Sequence, residues 1–397
     1  MRKLIQNHLI LFGLLVVFAA SASSAWANTA SNTQIINNAT LVYNNGAGVQ
    51  TATASVIVTV ALSPASPIIT SGPNQTTPYT GPTTLLKNSF TVTATSNGPD
   101  TYNITSAITS QSNTTSPTAT PETPSITLGA TVTTLGSSTS VLNVPSDGVS
   151  GTKVNGIQGG ETVVVGGTTV CSVTSVTNSG SGVATITISP ALSAAPGAGV
   201  QVGQQATIYV DVNAGTLGTP GNSITIQKTA TITSTTSGTA TATSSAVTDT
   251  YTSGTATLTK YVRNTVTSSG TGTPYVYGGN NYYPTGVIAK PTDTLEYLLV
   301  SNNNGTGPVT ASAVSDVLPI AYVTLKLNAY ASGKEVTYVN ESGVATTYSA
   351  AADSDQATYV TSTGTLTVYI GDGATSSAGG SIPGGSKVLV LYQATVN

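Results

Sequence analysis

The 397-residue chain is poor in charge and in the side chains that most often carry chemistry. Charged residues make up 6% of it, and it has one cysteine, one methionine, one tryptophan and one histidine. Met1, His8 and Trp26 all lie near the amino terminus. Without another histidine, the remaining chain cannot form a Ser-His-Asp triad, a Cys-His pair or a His/Cys zinc site. The sequence predicts no enzyme, no catalytic residue, no cofactor and no bound metal.

The first 27 residues have the pattern of a secretory signal. Arg2 and Lys3 precede an apolar run over 9–20, and Ala25-Trp26-Ala27 matches a cleavage site. The run is too short and wrongly flanked for a membrane span. We therefore predict a secreted protein, extracellular or at the cell surface, with no membrane span in the mature chain.

The charge balance excludes a nucleic-acid partner. Removing Arg2 and Lys3 lowers the formal charge from −3 to −5 and leaves Arg263 as the one arginine. Nucleic-acid binding needs a basic patch, which this balance does not supply. The single thiol, Cys171, excludes an intramolecular disulfide and is interpreted as a small buried apolar residue.

Strand patterns dominate the remainder of the chain. Apolar residues alternate with Thr, Ser and Asn in short segments. Gly, Pro and Asn separate these segments, which recur about every eight to twelve residues, a spacing typical of strands. Low charge and few aromatics also fit disorder, but the regular alternation argues against it. No helical apolar stripe occurs after the signal. The prediction is an all-β chain of tandem immunoglobulin-like β-sandwiches, with an N-terminal β-hairpin and a small β insertion.

The predicted division follows from these patterns. It assigns 1–27 to the signal, 28–62 to the hairpin, 63–84 to a Pro-rich linker, 85–252 to the first sandwich with an insertion at 141–203, and 253–397 to a C-terminal domain.

Two segments with alternating apolar residues, 39–43 and 51–60, predict the N-terminal hairpin and give it one apolar face. Asn44-Asn45-Gly46 supplies a turn between them. The residues predicted on the apolar face are Ile35, Ala39, Leu41, Tyr43, Ala52, Ala54, Val56, Val58, Val60 and Leu62. A two-stranded ribbon is marginal in water, so this face needs a cover.

A second copy of the hairpin pattern, 230–251, follows the first sandwich, but none follows the last strand of the sequence. We therefore expect the last strand to expose an edge and a groove that accept the leading hairpin of another copy. The residues assigned to that strand are Val388, Val390, Tyr392 and Val396. The alternatives are a hairpin that docks on its own sandwich and a flexible N-terminus.

Residues 256–397 resemble the bacterial conserved-repeat surface-protein domain, a family of unknown function. The matching motifs are 258–260, Leu-Thr-Lys; 293–297, Asp-Thr-Leu-Glu-Tyr; 314–319, Val-Ser-Asp-Val-Leu-Pro; and the closing strand from Pro383 to Tyr392. Residues 31–62 resemble the hairpin common in such proteins. The resemblance implies a secreted, immunoglobulin-like surface protein and no activity.

Two functions remain open at this point. The first is a structural protein that assembles head to tail with other copies of itself into a filament or surface layer by β-strand complementation. The second is a monomeric adhesin that binds glycans or proteins through loops. Tyrosines in a Gly/Asn-rich loop favour the second, although they could instead cover a sandwich edge. They are Tyr275, Tyr277, Tyr282 and Tyr283.

Two weaker patterns concern ions and crosslinks. Asp353 and Asp355, with Asp372, resemble a small calcium loop, but the glycine and distal glutamate of an EF-hand are missing. Lys260, Asp316 and Asn397 resemble the residues of the self-forming isopeptide crosslinks in Gram-positive pilin domains, and their spacing permits such a crosslink, although both Lys260 and Asp316 also fit the repeat-domain motif. A solvated turn and an ordinary sandwich are the simpler interpretations.

Overall fold

The computed structural model describes residues 31, 34–133, 137–267 and 269–397, and the predicted signal lies outside them. The fold is all-β: a leading hairpin, a first immunoglobulin-like sandwich with a β insertion, and a C-terminal sandwich. Within the described ranges, no helix is long and apolar enough to cross a membrane.

The leading hairpin consists of β1 (Gln34–Asn44) and β2 (Val49–Thr59), which pair antiparallel over their full length. The turn between them uses Gly46 at φ 86° and Gly48 at φ 140°, conformations that favour glycine. The Asn44 side chain accepts a hydrogen bond from the Gly46 N–H at 2.9 Å. The alternating pattern and the Asn-Gly turn thus specify the same register.

The first sandwich and its insertion contain twenty strands. They are β3 (Ile68–Ser71), β4 (Gln75–Pro78), β5 (Leu85–Thr93), β6 (Asp100–Ser112), β7 (Thr114–Thr115), β8 (Thr118–Pro121), β9 (Ser125–Leu128), β10 (Ala130–Thr131), β11 (Val141–Pro145), β12 (Ser150–Gly151), β13 (Lys153–Val154), β14 (Ile157–Gln158), β15 (Thr162–Val165), β16 (Thr169–Ser179), β17 (Val183–Ser189), β18 (Gln201–Asn213), β19 (Thr216–Leu217), β20 (Ile224–Ser234), β21 (Thr241–Thr243) and β22 (Val247–Thr252).

Two sheets form this sandwich. One runs β11-β17-β16-β15-β18-β5-β3, and the other runs β4-β22-β20-β6-β9. Alternate residues of β5, β18 and β20, such as Phe90, Val210 and Ile226, are fully buried between the sheets. This alternation is the period-two pattern of strands that bury one face.

The insertion has an apolar core of its own. Strands β11 to β17 enclose Leu142, Ile157, Val163 and Ile186, and Cys171 is buried among them as a free thiol. The insertion continues the first sheet because β15 pairs with β18.

The C-terminal sandwich contains the last twelve strands. They are β23 (Ala256–Asn264), β24 (Tyr275–Tyr277), β25 (Asn280–Tyr282), β26 (Thr294–Asn303), β27 (Val309–Val317), β28 (Val323–Leu325), β29 (Val336–Val339), β30 (Ala345–Tyr348), β31 (Ala357–Val360), β32 (Thr365–Tyr369), β33 (Gly380–Ile382) and β34 (Lys387–Val396). One sheet runs β23-β26-β34-β29-β30, and the other contains β31, β32, β27 and β33.

The expectation of an open edge at the last strand, β34, is wrong. This strand pairs with β26 on one side and with β28 and β29 on the other. Its residues contribute to the core of their own sandwich: Val388, Val390 and Tyr392 are buried and Val396 is half-buried. The edges of this domain lie elsewhere.

Candidate assembly surfaces

The leading hairpin presents an uncovered apolar face. Residues that pair directly across an antiparallel ribbon share a face. The register therefore places these predicted residues together: Ile35, Ala39, Leu41, Tyr43, Ala52, Ala54, Val56 and Val58. All eight are exposed, and Leu41, at 63% exposure, and Val56, at 57%, are typical of the larger ones. Contiguous apolar exposure of this kind marks an interaction surface.

The base of the hairpin is fixed to the first sandwich. Val60 and Leu62, also predicted on the apolar face, follow β2 and are half-buried. The Ser63 N–H donates to the Asn97 side-chain oxygen at 2.6 Å, and the Asn97 amide donates to the Ala61 carbonyl at 3.2 Å. The chain is thus held just after β2, while β1 and β2 pair only with each other in the described residues.

A hairpin of similar sequence, here called the buried hairpin, is built into the first sandwich and buries one face there. Strands β20 to β22 contain Thr-Ala-Thr-Ala at 239–242, as the leading hairpin does at 51–54. Here β20 pairs with β6 for almost its full length, and Ala230, Ile232 and Tyr251 are fully buried. This type of hairpin therefore closes a sandwich in the same molecule.

The junction after each hairpin is also repeated. Asn303 ends β26 of the second sandwich much as Asn97 follows β5 of the first, and its side-chain oxygen accepts a hydrogen bond from the Thr255 N–H at 3.2 Å. Ser253 and Gly254 contact the loop at Gly307 and Pro308, which follows Asn303. The leading hairpin thus stands to the first sandwich as the buried hairpin stands to the second.

Strand β23 forms one edge of the C-terminal sandwich. It pairs with β26 alone, except that Val262 exchanges both backbone bonds with Tyr283, at 2.8 and 2.9 Å. Because backbone groups alternate in direction along a strand, Ala256, Leu258 and Lys260 turn their N–H and C=O groups the same way as Val262, away from β26. Among the described residues these groups have no backbone partner.

Strand β27 forms the facing edge in the opposite sheet. Between Ala313 and Val317 it pairs only with β32. In the first sandwich the corresponding strand, β6, pairs with β9 and also with β20 of the buried hairpin. Within the described chain, the C-terminal sandwich has no strand that plays the part of β20.

A groove of about 330 Å³ lies between these two edges. Its lining is mainly apolar and includes Ala256, Leu258, Val309, Ala313, Val314 and Ile370. Beside it, Lys260 of β23 forms an ion pair with Asp316 of β27 at 2.6 Å. The arrangement offers apolar contacts and unpaired strand edges to an incoming ribbon.

The tyrosine-rich loop covers the outer face of the C-terminal sheet. Tyr282 is 2% exposed and its hydroxyl donates to Glu296 at 2.7 Å. Tyr275 and Tyr277 are half-buried in the same cluster, and Tyr283 is held by its backbone bonds to Val262. The loop therefore packs as part of the domain.

Glu296 lies at the centre of this polar cluster. Burial acts to raise its pKa, but hydrogen bonds from Gln393 and Tyr282 and the ion pair with Arg263 hold that pKa below its usual value. Arg263 Nη2 lies 2.6 Å from Glu296 Oε2. These contacts fix the loop to the sheet beneath it.

The weaker sequence patterns lie in ordinary structural settings. Asp355 pairs with Lys334 at 3.2 Å, and no group of three His, Cys, Asp or Glu in the described chain could hold a metal ion. Asn397 bonds to Thr324 at 2.7 Å and to the Ile320 carbonyl at 3.2 Å rather than to the Lys260–Asp316 pair.

No model of a known protein family matches the chain, and no curated protein matches it. Among solved structures, it is similar to a variant of BcpA, the major pilin subunit of Bacillus cereus. The identity is 12% and the TM-score is 0.21, over 79% of this chain and 71% of the pilin. The resemblance to the conserved-repeat surface domain stays a prediction.

Proposed function

We propose that this is an exported, non-enzymatic structural protein that assembles head to tail with copies of itself. The hairpin β1–β2 of one copy enters the groove between β23 and β27 of the next and completes its sandwich. Because donor and acceptor lie on different parts of the molecule, the contact propagates into an extracellular filament or surface layer. The observation that carries the proposal is the exposed apolar face of the leading hairpin.

The first sandwich supports this geometry because it contains the same arrangement within one chain. Its buried hairpin pairs with β6, and the chain then passes through Ser253 to Thr255 into the next sandwich. A docked leading hairpin would pair with β27 and then pass through Ala61 to Ser63 into the first sandwich. Successive copies would therefore continue the spacing that the two sandwiches of one molecule already have.

The chemistry of the two surfaces is complementary. The hairpin over 34–59 carries no charged residue, so docking buries no unpaired charge. Each large apolar side chain that becomes fully buried contributes about 1.5–3 kcal/mol. Backbone bonds to the edges of β23 and β27 fix the register of the added strands.

A paired set of variants tests this function. We expect the mature protein to form filaments visible by electron microscopy. The double variant Leu41→Asp, Val56→Asp changes the apolar face and should stay monomeric, because a buried carboxylate without a partner is strongly disfavoured. The control Thr40→Asp, Ser55→Asp places the same charges on the opposite face and should still polymerise.

Two results would refute the proposal. One is a mature protein that sediments as a single monomeric species at every concentration. The other is a Leu41→Asp, Val56→Asp variant that forms filaments as readily as the control.

A further inference from the structure

A lysine lies in the interior of the first sandwich. Lys228 of β20 has a fully buried side chain, and so does its ion-pair partner Asp249 of β22, at 2.6 Å. Asn88 of β5 is 1% exposed and donates from Nδ2 to the same Asp249 oxygen, Oδ2, at 2.9 Å. An amine, a carboxamide and a carboxyl group thus meet in an otherwise apolar core.

The ion pair is poorly compensated for so deep a position. Neither Lys228 Nζ nor Asp249 Oδ1 has a hydrogen-bond partner of good geometry in the described part of the chain. Buried charges are costly unless all of their bonding capacity is satisfied. Burial lowers the pKa of Lys228 and raises the pKa of Asp249, although each opposes the shift of the other. Both directions favour a proton on the carboxyl group and a neutral, nucleophilic amine.

We propose that Lys228 and Asn88 form an intramolecular amide bond, with Asp249 as the proton carrier. Asp249 takes a proton from the Lys228 ammonium, and the neutral Nζ attacks the Asn88 side-chain carbon. Asp249 gives this proton to Asn88 Nδ2, the bond from the carbon to Nδ2 breaks, and ammonia leaves. The second proton that Nζ loses as the amide forms stays on Asp249. The product is a Lys–Asn amide and no oxidant or co-reactant is needed.

The surroundings of Asn88 suit this step. Gln75 Nε2 lies 3.4 Å from Asn88 Oδ1, the oxygen on which negative charge develops during the attack. Both reacting nitrogens contact one carboxylate oxygen, so the reactants are already held together. Direct condensation of Lys228 with Asp249 would consume the only carboxyl group of the cluster and leave no proton carrier.

The bond would join the buried hairpin, β20 to β22, to the opposite sheet. Lys228 lies on β20, and Asn88 lies on β5 of the other sheet of the sandwich. The amide would therefore seal covalently the hairpin whose sequence the leading hairpin repeats. This inference does not depend on head-to-tail assembly, and its test gives the same result for monomer or polymer.

Mass spectrometry of the folded full chain tests the crosslink. We expect an intact mass about 17 Da below the sequence mass, because one ammonia is lost in forming the amide. After proteolysis, fragment spectra should show the Asn88 peptide joined to the Lys228 peptide, with no tryptic cleavage after Lys228. The Asp249→Asn variant should have the full mass calculated from its own sequence, because it lacks the proton carrier. The control Asp316→Asn, which changes the exposed pair with Lys260, should keep the mass deficit of about 17 Da.

Three outcomes would overturn the proposal: a wild-type chain at its full sequence mass, a deficit that maps to other residues, or a deficit of about 18 Da with Lys228 joined to Asp249, which signals loss of water instead. The wild-type measurement decides the question even if Asp249→Asn fails to fold.

Discussion

The hydroxyl of Tyr392 donates to Asp316 Oδ2 at 2.6 Å and joins the central strand of one sheet to an edge strand of the other. The same carboxylate pairs with Lys260 of the facing edge strand. Asp316 therefore connects β34, β27 and β23 through two contacts. It holds together the strands that border the proposed acceptor groove.

Asp316→Ala should destabilise the C-terminal sandwich. The Tyr392 hydroxyl is fully buried and would lose its acceptor, at a cost of about 1–3 kcal/mol. Native-state hydrogen exchange of amides in β26 and β34 measures the loss. Asp316→Asn keeps an acceptor oxygen and should lose less stability. Equal exchange rates in the wild type and in Asp316→Ala would contradict this account.

The hairpin was predictable from sequence because its information is local. Period-two alternation and the Asn44-Asn45-Gly46 turn specify both the strands and the face that Leu41 and Val56 share. The edge of the C-terminal sandwich was not predictable in this way, since strand order in a sheet depends on distant pairing. One local signal did exist: residues 388–392 are apolar without interruption, which is typical of a central strand buried on both faces.

The buried Lys228 was missed for a related reason. It follows Ile224 and Ile226 at period two, so a charged residue falls on the apolar face of its strand. That pattern could have drawn attention to it. The partners Asn88 and Asp249 are far away in sequence, and only the folded sandwich brings them to the lysine.

The buried tyrosines predict a loss of stability at high pH. Burial raises the pKa of Tyr251 and of Tyr392, so the folded state keeps protons that the unfolded state releases. Tyrosine in the unfolded chain ionises at about pH 10. The contribution of the buried tyrosines to stability is fully present below that pH and is lost as the pH rises above it. At one unit above that pH, each tyrosine that stays protonated lowers the free energy of unfolding by about 1.4 kcal/mol.

Absorbance of tyrosinate against pH measures this effect. Part of the signal from the 18 tyrosines should appear only when the chain unfolds. If all of them titrated together near pH 10, as in a model peptide, while circular dichroism stayed native, the buried hydroxyls would be less protected than their positions indicate.

Cys171 should be inert in the folded protein. It is 1% exposed, and burial raises the pKa of its thiol, so little reactive thiolate is present at neutral pH. A thiol reagent should modify the chain only in denaturant, with one equivalent per chain. Reductant should leave any polymer intact, whereas polymer that dissociates on reduction would show that Cys171 forms an intermolecular disulfide.

Complementary variants should separate the two halves of the assembly contact. A donor variant, Leu41→Asp with Val56→Asp, keeps an intact groove, and an acceptor variant, Leu258→Lys, keeps an intact hairpin. Each alone should sediment as a monomer. Mixed in equal amounts they should form a dimer and nothing larger, because only one working hairpin and one working groove remain. The control Thr259→Lys lies on the same strand but faces away from the groove, and it should polymerise like the wild type. A mixture that stays monomeric would exclude this groove as the acceptor, and an acceptor variant that polymerises alone would place the partner surface elsewhere.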